Sequence, residues 1–318
     1  MQLETFLEEW NNDSPFVSVK TSGSTGAPKQ MLVEKSRMLA SAKMTCDFLG
    51  LKEGDTALLC MSTDYIAGKM MAVRSIERGL RLTAVEPTLH LQLSTPFDLV
   101  AMVPAQVYAS IHEPWLLKSK NIIIGGGAIS DELQQMINEG GFVGKVWSSY
   151  GMTETLSHIA LRRLNGPDTT DWYTPFDGVE VSKSEDGCLI INAPYVCELP
   201  LVTNDIAEIC NGRFRIKGRK DNVICSGGIK IQIEEVEAML SPHLPEPFAV
   251  TKRPDEKFGE VVVLVTESAD MERIRQICET VLPRYWRPKH LVHVDKIPMT
   301  ETGKPARYLL LHPTPNRG

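Results

Sequence analysis

Residues 21–29 read Thr-Ser-Gly-Ser-Thr-Gly-Ala-Pro-Lys, a composition that folding alone does not explain. The two glycines let the backbone turn its N–H groups toward an anion, the hydroxyl residues add donors, and Lys29 supplies a mobile positive charge. An apolar run that begins at Phe16 predicts a strand before this stretch, so the stretch would lie at a strand end, where ligands of α/β sheets collect. Pro28 separates the last glycine from the lysine, which excludes a P-loop of the Gly-x4-Gly-Lys-Ser/Thr type. The alternative is a solvated turn rich in serine and glycine.

Apolar periodicity along the rest of the chain alternates between strand and helix patterns. The predicted helices are residues 3–10, 33–49, 66–78, 131–139, 233–240 and 271–281. The predicted strands are residues 16–19, 56–61, 81–86, 98–103, 121–124, 145–147, 259–266 and 291–294. This alternation predicts an α/β fold, with a large N-terminal domain around a mostly parallel sheet and a small α+β C-terminal domain.

Composition and charge exclude several classes of protein. The 318 residues carry a net charge of −6 with lysine and arginine scattered, which argues against a nucleic-acid surface. The acidic N-terminus has no long apolar run, so it predicts neither a signal peptide nor a membrane span, and we expect a cytoplasmic protein. The seven cysteines show no Cys-x-x-Cys spacing, so they indicate neither a disulfide framework nor a zinc site.

Two further motifs each follow a predicted strand. Residues 121–130 run from a strand into three glycines and a helix capped by Ser130, and bare backbone there would accept a flat group. Residues 148–155 read Ser-Ser-Tyr-Gly-Met-Thr-Glu-Thr, in which Tyr150 offers a face for a purine and Glu154 a hard oxygen ligand for Mg²⁺. The alternatives are a plain strand-to-helix turn for the first motif and an ordinary capped helix start for the second.

In this order, the motifs resemble those of the adenylate-forming superfamily, which includes acyl-CoA synthetases, nonribosomal adenylation domains and luciferases. The resemblance implies AMP-forming acid–thiol ligase activity with ATP, Mg²⁺ and CoA, through an acyl-adenylate. It implies that phosphates bind at Thr21, Ser22, Gly23, Ser24, Thr25, Gly26 and Lys29. It further implies that the nucleotide contacts Gly126, Gly127, Ala128, Ser149, Tyr150 and Gly151, with Thr153 at the α-phosphate and Glu154 on the metal.

The later motifs complete the resemblance. It implies that Asp205 and Arg219 hold the ribose, that Asp221 is the hinge, and that Lys304 is the catalytic lysine. Residues Ser226, Gly227 and Gly228 would admit CoA, although a simple turn explains them nearly as well. The usual Thr-Gly-Asp is Thr203-Asn-Asp here, a mild departure because asparagine tolerates the same left-handed backbone as glycine. The predicted domains are residues 1–217 and a mobile lid at 218–318, which rotates between the two chemical steps.

The acid site resembles that of the o-succinylbenzoate–CoA ligases of menaquinone synthesis. In those ligases a glycine is followed six residues later by an arginine that meets the spare carboxylate of the substrate, and Gly68 and Arg74 reproduce this spacing. Tyr65 and Ser157 would also line the substrate pocket, and Ala67, Met71 and Arg78 would share the helix stripe of Arg74. Asp64-Tyr65 stands where many relatives have Phe-His, and Arg74 has the alternative of a solvated helix arginine.

One departure from the superfamily is the short region before the phosphate loop, where only twenty residues precede Thr21. We expect one of three consequences: a smaller flank of the large domain, a surface on which a second copy packs as a homodimer, or weak activity. Two other functions stay open. The first is adenylation of another acid or transfer to another thiol, and the second is a nucleotide-binding module without turnover. The expected partners are therefore small molecules, namely a carboxylic acid, ATP and CoA.

Overall fold

The computed structural model describes residues 2–20, 30–127, 129–299 and 305–310. The chain divides into two compact units. The first unit comprises Met1–Ser182, Ile190–Val202 and Ile209–Arg215, and the second comprises Lys183–Leu189, Thr203–Glu208 and Ile216–Gly318. Because the units exchange short segments between residues 183 and 215, no single cut separates them, and the predicted boundary at residue 218 stays a prediction.

The helices of the described residues match the predicted pattern, with short additions. They are α1 (Gln2–Asn11), α2 (Lys35–Leu49), α3 (Ile66–Arg78), α4 (Pro104–Ser110), α5 (Pro114–Lys118), α6 (Asp131–Glu139), α7 (Ile233–Leu240), α8 (Met271–Val281) and α9 (Arg307–Leu310). Short 3-10 turns occupy Thr153–Thr155, Lys220–Asn222 and Ser241–His243. The expected cap of α6 is present, since Ser130 Oγ accepts a hydrogen bond from Leu133 N at 3.2 Å.

The strands of the first part of the chain are β1 (Phe16–Lys20), β2 (Gln30–Glu34), β3 (Thr56–Leu59), β4 (Arg81–Ala84), β5 (Leu99–Met102), β6 (Asn121–Ile124), β7 (Lys145–Gly151), β8 (His158–Arg163) and β9 (Thr174–Pro175). Those of the later part are β10 (Glu180–Lys183), β11 (Cys188–Asn192), β12 (Leu201–Cys210), β13 (Arg213–Arg219), β14 (Val223–Ser226), β15 (Ile229–Gln232), β16 (Phe248–Asp255), β17 (Gly259–Thr266) and β18 (His290–His293).

A seven-stranded sheet forms the centre of the first unit, in the order β4-β3-β5-β6-β7-β8-β9. The pairs from β4 to β7 are parallel and the last two pairs are antiparallel, so the predicted mostly parallel sheet is confirmed. Leu58, Val100, Ile122 and Val146 extend from successive strands into one buried core, which Trp115 of α5 completes. Burial of both faces explains why these strands read as continuous apolar runs.

The strand before the phosphate loop differs from the prediction. β1 pairs antiparallel with β2 in a separate two-stranded sheet, so it is not a strand of the parallel sheet. The helix predicted from residue 33 begins at Lys35, and the preceding residues form β2 instead. Val33 is buried at 4% exposure while Leu32 is 69% exposed, which is the alternation of a half-buried strand.

The second unit contains its own sheet and core. The sheet has the order β15-β14-β17-β16, with β18 paired in parallel to β17. Ile224, Val236, Leu264 and Ile274 are buried in one cluster beneath α7 and α8. A further sheet has the order β10-β11-β12-β13. The described part of the chain has no helix that is long and apolar enough to cross a membrane.

Candidate active site

The glycines that follow β6 pack closely against β7. A Cβ atom at Gly125 would lie 2.5 Å from Ser149 Oγ, and Gly126 has a φ of +79°, so both positions require glycine. Ser149 Oγ donates a hydrogen bond to Ile124 O at 3.1 Å and fixes this approach. The structure therefore brings predicted residues Gly126 and Ser149 together and adds Gly125, whose only sequence signal is its place in the glycine run.

Tyr150 belongs to an aromatic cluster of the first unit. Its ring centroid lies 4.9 Å from that of Phe214, edge to face, and 5.7 Å from that of Tyr173. Tyr173 stacks on Phe214 at 5.4 Å, and its hydroxyl lies 2.9 Å from Ser148 Oγ. Tyr173 was missed by sequence reasoning because no local pattern links it to Tyr150. The cluster fixes the orientation of the ring to which we assign purine stacking.

The turn after β7 presents Thr153 and Glu154. A Cβ atom at Gly151 would lie 2.2 Å from Ser157 O, so the chain turns back on itself tightly there. Thr155 is fully buried, and its hydroxyl accepts from Met152 N at 3.0 Å and donates to Ser157 O at 2.7 Å. This buried hydroxyl holds the turn, which leaves Thr153 half-buried and Glu154 exposed.

Glu154 is the residue to which we assign a metal ion. The described residues contain no group of three or more His, Cys, Asp or Glu side chains that would form a protein-only metal site. An exposed single carboxylate fits Mg²⁺, which keeps several waters and takes phosphate oxygens as ligands. It does not fit zinc, which takes three or four protein ligands.

Arg74 is buried inside the first unit rather than solvated on its helix. Its side chain is 2% exposed, and Nη2 donates to Ser157 Oγ at 2.5 Å. Nη1 lies 3.5 Å from Met71 Sδ, whereas Nε has no hydrogen-bond partner among the described residues. Burial lowers the pKa of the guanidinium to about 10, so Arg74 stays charged at neutral pH. The structure thus joins two residues that we assigned separately to the acid pocket.

His158 and Thr45 extend this contact away from Arg74. His158 Nδ1 lies 3.3 Å from Ser157 Oγ, and His158 Nε2 lies 3.1 Å from Thr45 Oγ1. Thr45 is fully buried in α2, and its hydroxyl donates to Ser41 O at 3.2 Å. Desolvation and, secondly, the charge of Arg74 hold the pKa of His158 well below its ordinary value, so its ring is neutral. Neither His158 nor Thr45 was among the predicted site residues.

The other residues of the α3 stripe have different environments. A Cβ atom at Gly68 would lie 2.2 Å from Ser62 O, so this glycine has a packing reason that requires no substrate contact. Arg78 donates to Asp47 Oδ1 at 2.6 Å and to Leu51 O at 2.9 Å, at the end of α2. Ala67 and Tyr65 are exposed at the start of the helix. Of the stripe, therefore, Arg74 and Met71 are the buried residues that contact each other.

In the second unit, Arg219 joins two aspartates. Its guanidinium donates to both oxygens of Asp221 at 2.9 Å and to Asp205 Oδ1 at 3.2 Å. Burial alone would raise the pKa of Asp221, but the contact with Arg219 outweighs it and lowers that pKa. The two residues assigned to the ribose and the residue assigned to the hinge are therefore in direct contact.

The backbone around Asn204 is extended. Asn204 lies inside β12, and the described non-glycine residues with positive φ are Leu156 and Asn211. The left-handed backbone that asparagine tolerates is therefore not used at this position, because the strand extends through it. Thr203 Oγ1 accepts from Asp205 N at 3.0 Å and donates to Leu189 O at 2.9 Å, which holds this part of the strand.

Residues Ser226, Gly227 and Gly228 form the turn between β14 and β15. Gly227 and Gly228 have φ values of +56° and +83°, as expected for a tight two-residue hairpin, which favours glycine at both positions. The turn explains the two glycines by backbone geometry. Their predicted role in admitting CoA stays a prediction.

Comparison with known families identifies most of the chain. Residues 4–188 match the model of the AMP-binding enzyme family, and residues 235–304 match the model of its C-terminal domain. The chain belongs to the AMP-binding enzyme family. The resemblance deduced from the phosphate loop and the later motifs is thereby confirmed.

Members of the family with similar sequences are acid–CoA ligases. The 2-succinylbenzoate–CoA ligase of Salmonella typhimurium is 29% identical over 287 residues, covering 84% of this chain and 62% of the ligase. A solved acyl-CoA synthetase (AMP-forming)/AMP-acid ligase II-like protein from Dyadobacter fermentans is 34% identical with a TM-score of 0.64, covering 98% of this chain and 94% of that one. The o-succinylbenzoate CoA synthetase of Bacillus subtilis, solved with its acyl-adenylate OSB-AMP, shares the fold at 22% identity and a TM-score of 0.76, covering 92% of this chain and 68% of that one. This chain thus spans less than two thirds of the Salmonella ligase.

Three of the assignments made for this AMP-binding enzyme lie outside the described residues. They are the phosphate loop at residues 21–29, Ala128 and Lys304. The segment that follows Lys304 is described, and Arg307 pairs there with both oxygens of Glu237 in α7, at 2.7 and 2.6 Å. Arg307 Nε also donates to Val250 O at 3.1 Å. These contacts hold the chain three residues after the predicted catalytic lysine.

Proposed function

We propose that this AMP-binding enzyme is an acid–thiol ligase that converts o-succinylbenzoate, ATP and CoA into o-succinylbenzoyl-CoA, AMP and pyrophosphate. One observation carries the choice of acid: the buried guanidinium of Arg74, which contacts Ser157 and whose Nε–H has no partner in the described part of the chain. The 2-succinylbenzoate–CoA ligases among the similar proteins support the same choice.

The environment of Arg74 suits an anionic group of the substrate. No carboxylate among the described residues lies within ion-pair distance of Arg74, although the side chain is 2% exposed. Removing a cation from water without an anion costs several kcal/mol. A bound carboxylate would offset that cost and accept from Nε, since arginine presents its donors in a planar fork that matches a carboxylate.

A substrate with two carboxylates can place one at the site of adenylation and the other at Arg74. One carboxylate becomes the acyl-adenylate, and the other meets Arg74. The apolar neighbour Met71 and the half-buried Ser157 suit the aromatic ring between them, because the ring needs apolar contact and its substituents need donors. A monocarboxylic acid would leave the charge of Arg74 uncompensated, so the pocket would discriminate against it.

The adenine, phosphate and metal roles rest on residues that follow β6 and β7 in the first unit, and the ribose roles rest on two residues of the second unit. Gly126 and Gly127 would border the adenine, Tyr150 would stack on it, and Thr153 would donate to the α-phosphate. Glu154 would hold Mg²⁺, which when bound neutralises phosphate charge. Asp205 would accept from the ribose hydroxyls, with Arg219 holding the carboxylate in place.

The reaction proceeds in two steps, formation of the acyl-adenylate and then of the thioester. A carboxylate oxygen attacks the α-phosphorus, the bond to the β-phosphate oxygen breaks, and pyrophosphate leaves. The CoA sulfur then attacks the acyl carbon, AMP leaves, and the thiol proton passes to solvent. Two anions meet in the first step, so cations and N–H donors carry most of the catalysis. We assign the cationic and N–H donor groups of the first step to Lys304 and the loop at residues 21–29. We assign the rotation of the C-terminal lid between the two steps to a hinge at Asp221.

Pyrophosphate release from ATP, measured with a panel of acids and with CoA present, tests the proposal. We expect release with o-succinylbenzoate, formation of its CoA thioester, and much weaker release with benzoate or succinate. No release with any acid would favour a nucleotide-binding module. Release without a CoA thioester would point to another acceptor, and equal release with benzoate would remove the role given to Arg74.

A further inference from the structure

We propose that His158 and Thr45 are positioning residues of the acid site, which fix Ser157 as a hydrogen-bond acceptor and thereby hold Arg74. The inference rests on the proposed function and deepens it. Its basis is a chain of four side chains on three elements: Arg74 of α3, Ser157 before β8, His158 in β8 and Thr45 of α2.

The direction of each hydrogen bond in this series of side chains follows from Arg74, which lies at one end of the series. A guanidinium has no acceptor, so Ser157 Oγ must accept from Nη2, and its own proton must go elsewhere. Among the described side chains, the acceptor within its reach is His158 Nδ1 at 3.3 Å. The ring therefore carries its proton on Nε2.

Thr45, at the other end of the series, indicates the same tautomer of His158. Thr45 Oγ1 donates its single proton to Ser41 O, so toward His158 it presents a lone pair. His158 Nε2–H can donate to that lone pair across 3.1 Å. Both ends thus select one tautomer, and a protonated ring would place a second cation beside Arg74 and remove the acceptor that Ser157 needs.

This arrangement explains how the long side chain of Arg74 is held when no carboxylate of the described ranges pairs with it. The Nη2–Ser157 bond fixes the plane of the guanidinium, and this leaves Nε–H available for the substrate carboxylate. Loss of the acceptor at Thr45 would free the imidazole to change tautomer. The Ser157 hydroxyl would then no longer always donate to His158 Nδ1. Its oxygen would therefore no longer be held as the acceptor for Arg74 Nη2.

The test compares Thr45→Val, which keeps the shape and removes the acceptor, with Thr45→Ser, which restores it. We expect Thr45→Val to raise the KM for o-succinylbenzoate about 10-fold, the effect of one hydrogen bond, and to leave the KM for ATP within about 2-fold. Thr45→Ser should return the acid KM to the wild-type value. An unchanged acid KM in Thr45→Val, an equal rise in both KM values, or no rescue by serine would overturn the proposal.

A second measurement does not depend on turnover. Nitrogen-15 NMR of the imidazole rings, with His158 assigned from a His158→Gln sample, should show a neutral Nε2–H ring at neutral pH. In Thr45→Val the two ring-nitrogen shifts should move toward each other as the tautomers mix. An imidazolium or an Nδ1–H ring in the wild type would overturn the inference even if the enzyme is active. If the wild type releases no pyrophosphate with any acid, the proposed function fails, and the NMR result alone decides the hydrogen-bond chain.

Discussion

Ser157 Oγ accepts a hydrogen bond from Arg74 Nη2 at 2.5 Å, although 83 residues separate the two in the chain. The contact joins α3 to the turn that presents Thr153 and Glu154. It places the residue assigned to the spare carboxylate next to the motif assigned to the phosphate and metal. The residues to which we assign acid recognition and adenylation are thus connected within the first unit.

Replacement of Arg74 by alanine should weaken acid binding selectively. A charged hydrogen-bonded contact is worth about 1.5–3 kcal/mol, so we expect the KM for o-succinylbenzoate to rise by about 10- to 100-fold with the KM for ATP nearly unchanged. Steady-state pyrophosphate release measures both constants. Arg78→Ala is the matched control on the same helix, and it should lower the melting temperature, through loss of the Asp47 contact, without raising the acid KM. An unchanged KM for the acid in Arg74→Ala would remove the main support for o-succinylbenzoate as the substrate.

The glycine at position 68 should be needed for stability. An alanine Cβ would overlap Ser62 O at 2.2 Å, and overpacking of this kind costs about 1–3 kcal/mol. Urea unfolding of Gly68→Ala should show that loss. Ala67→Ser, at the exposed neighbouring position, should unfold with the wild type. Equal stability of Gly68→Ala would mean that α3 does not approach residue 62 as closely as described.

Lys304→Ala should separate the two chemical steps. If Lys304 stabilises the charge of the first step, adenylate formation should fall far more than thioester formation from supplied acyl-adenylate. Pyrophosphate release measures the first step and CoA thioester the second. Lys296→Ala, an exposed lysine of the same unit, should change neither. Equal losses in both steps would contradict the assignment of Lys304.

The hairpin glycine at position 228 allows backbone strain to be separated from CoA access. Gly228 has a φ of +83° and no atom within 4 Å of a built Cβ, so alanine there should cost about 1 kcal/mol through strain alone. Gly212, with a φ of +73° and an equally open surrounding, is the matched control. Both alanine variants should lose similar stability in urea. We expect only Gly228→Ala to slow thioester formation from supplied acyl-adenylate, and equal rates in the two variants would remove the CoA role.

Asp98 should give the fold a pH dependence in acid. Burial would raise the pKa of this carboxyl, but hydrogen bonds from Lys120 and Thr56 outweigh it and lower the pKa from 3.8 to about 2. The folded state therefore binds this proton less readily than the unfolded state, so the contribution is present above about pH 4 and is lost as pH falls toward about 2. Because Lys120 is exposed and its charge is screened, we expect about 1 kcal/mol.

Urea midpoints of the wild type and Asp98→Asn across this pH range measure that contribution. The difference between them should be present near neutral pH and shrink below about pH 4. A difference that stays constant with pH would mean that the carboxylate charge is not what stabilises the strand ends at Asp98 and Thr56.

Local patterns determined most of the elements and the family. The helices Ile66–Arg78 and Asp131–Glu139 and the strand Asn121–Ile124 have the predicted bounds, because apolar periodicity and caps are local signals. The glycine and hydroxyl motifs identified the superfamily for the same reason, since each motif is one continuous turn. Where two signals competed at one place the prediction failed, as at residues 33–34, where β1 pairing extends a strand into an expected helix start.

Only the tertiary structure decided how the separate motifs combine. The sequence places a histidine at position 158 and a threonine at position 45. Only the packing of α2 against β8 brings Thr45 Oγ1 within hydrogen-bond distance of His158 Nε2, while His158 Nδ1 lies near Ser157 Oγ. From the sequence we assigned Arg74 to the acid site with a solvated helix arginine as the alternative, and helix spacing could not exclude that alternative, because it gives the direction of a side chain and not what covers it. Burial and hydrogen-bond direction depend on distant residues, so they are properties of the folded chain.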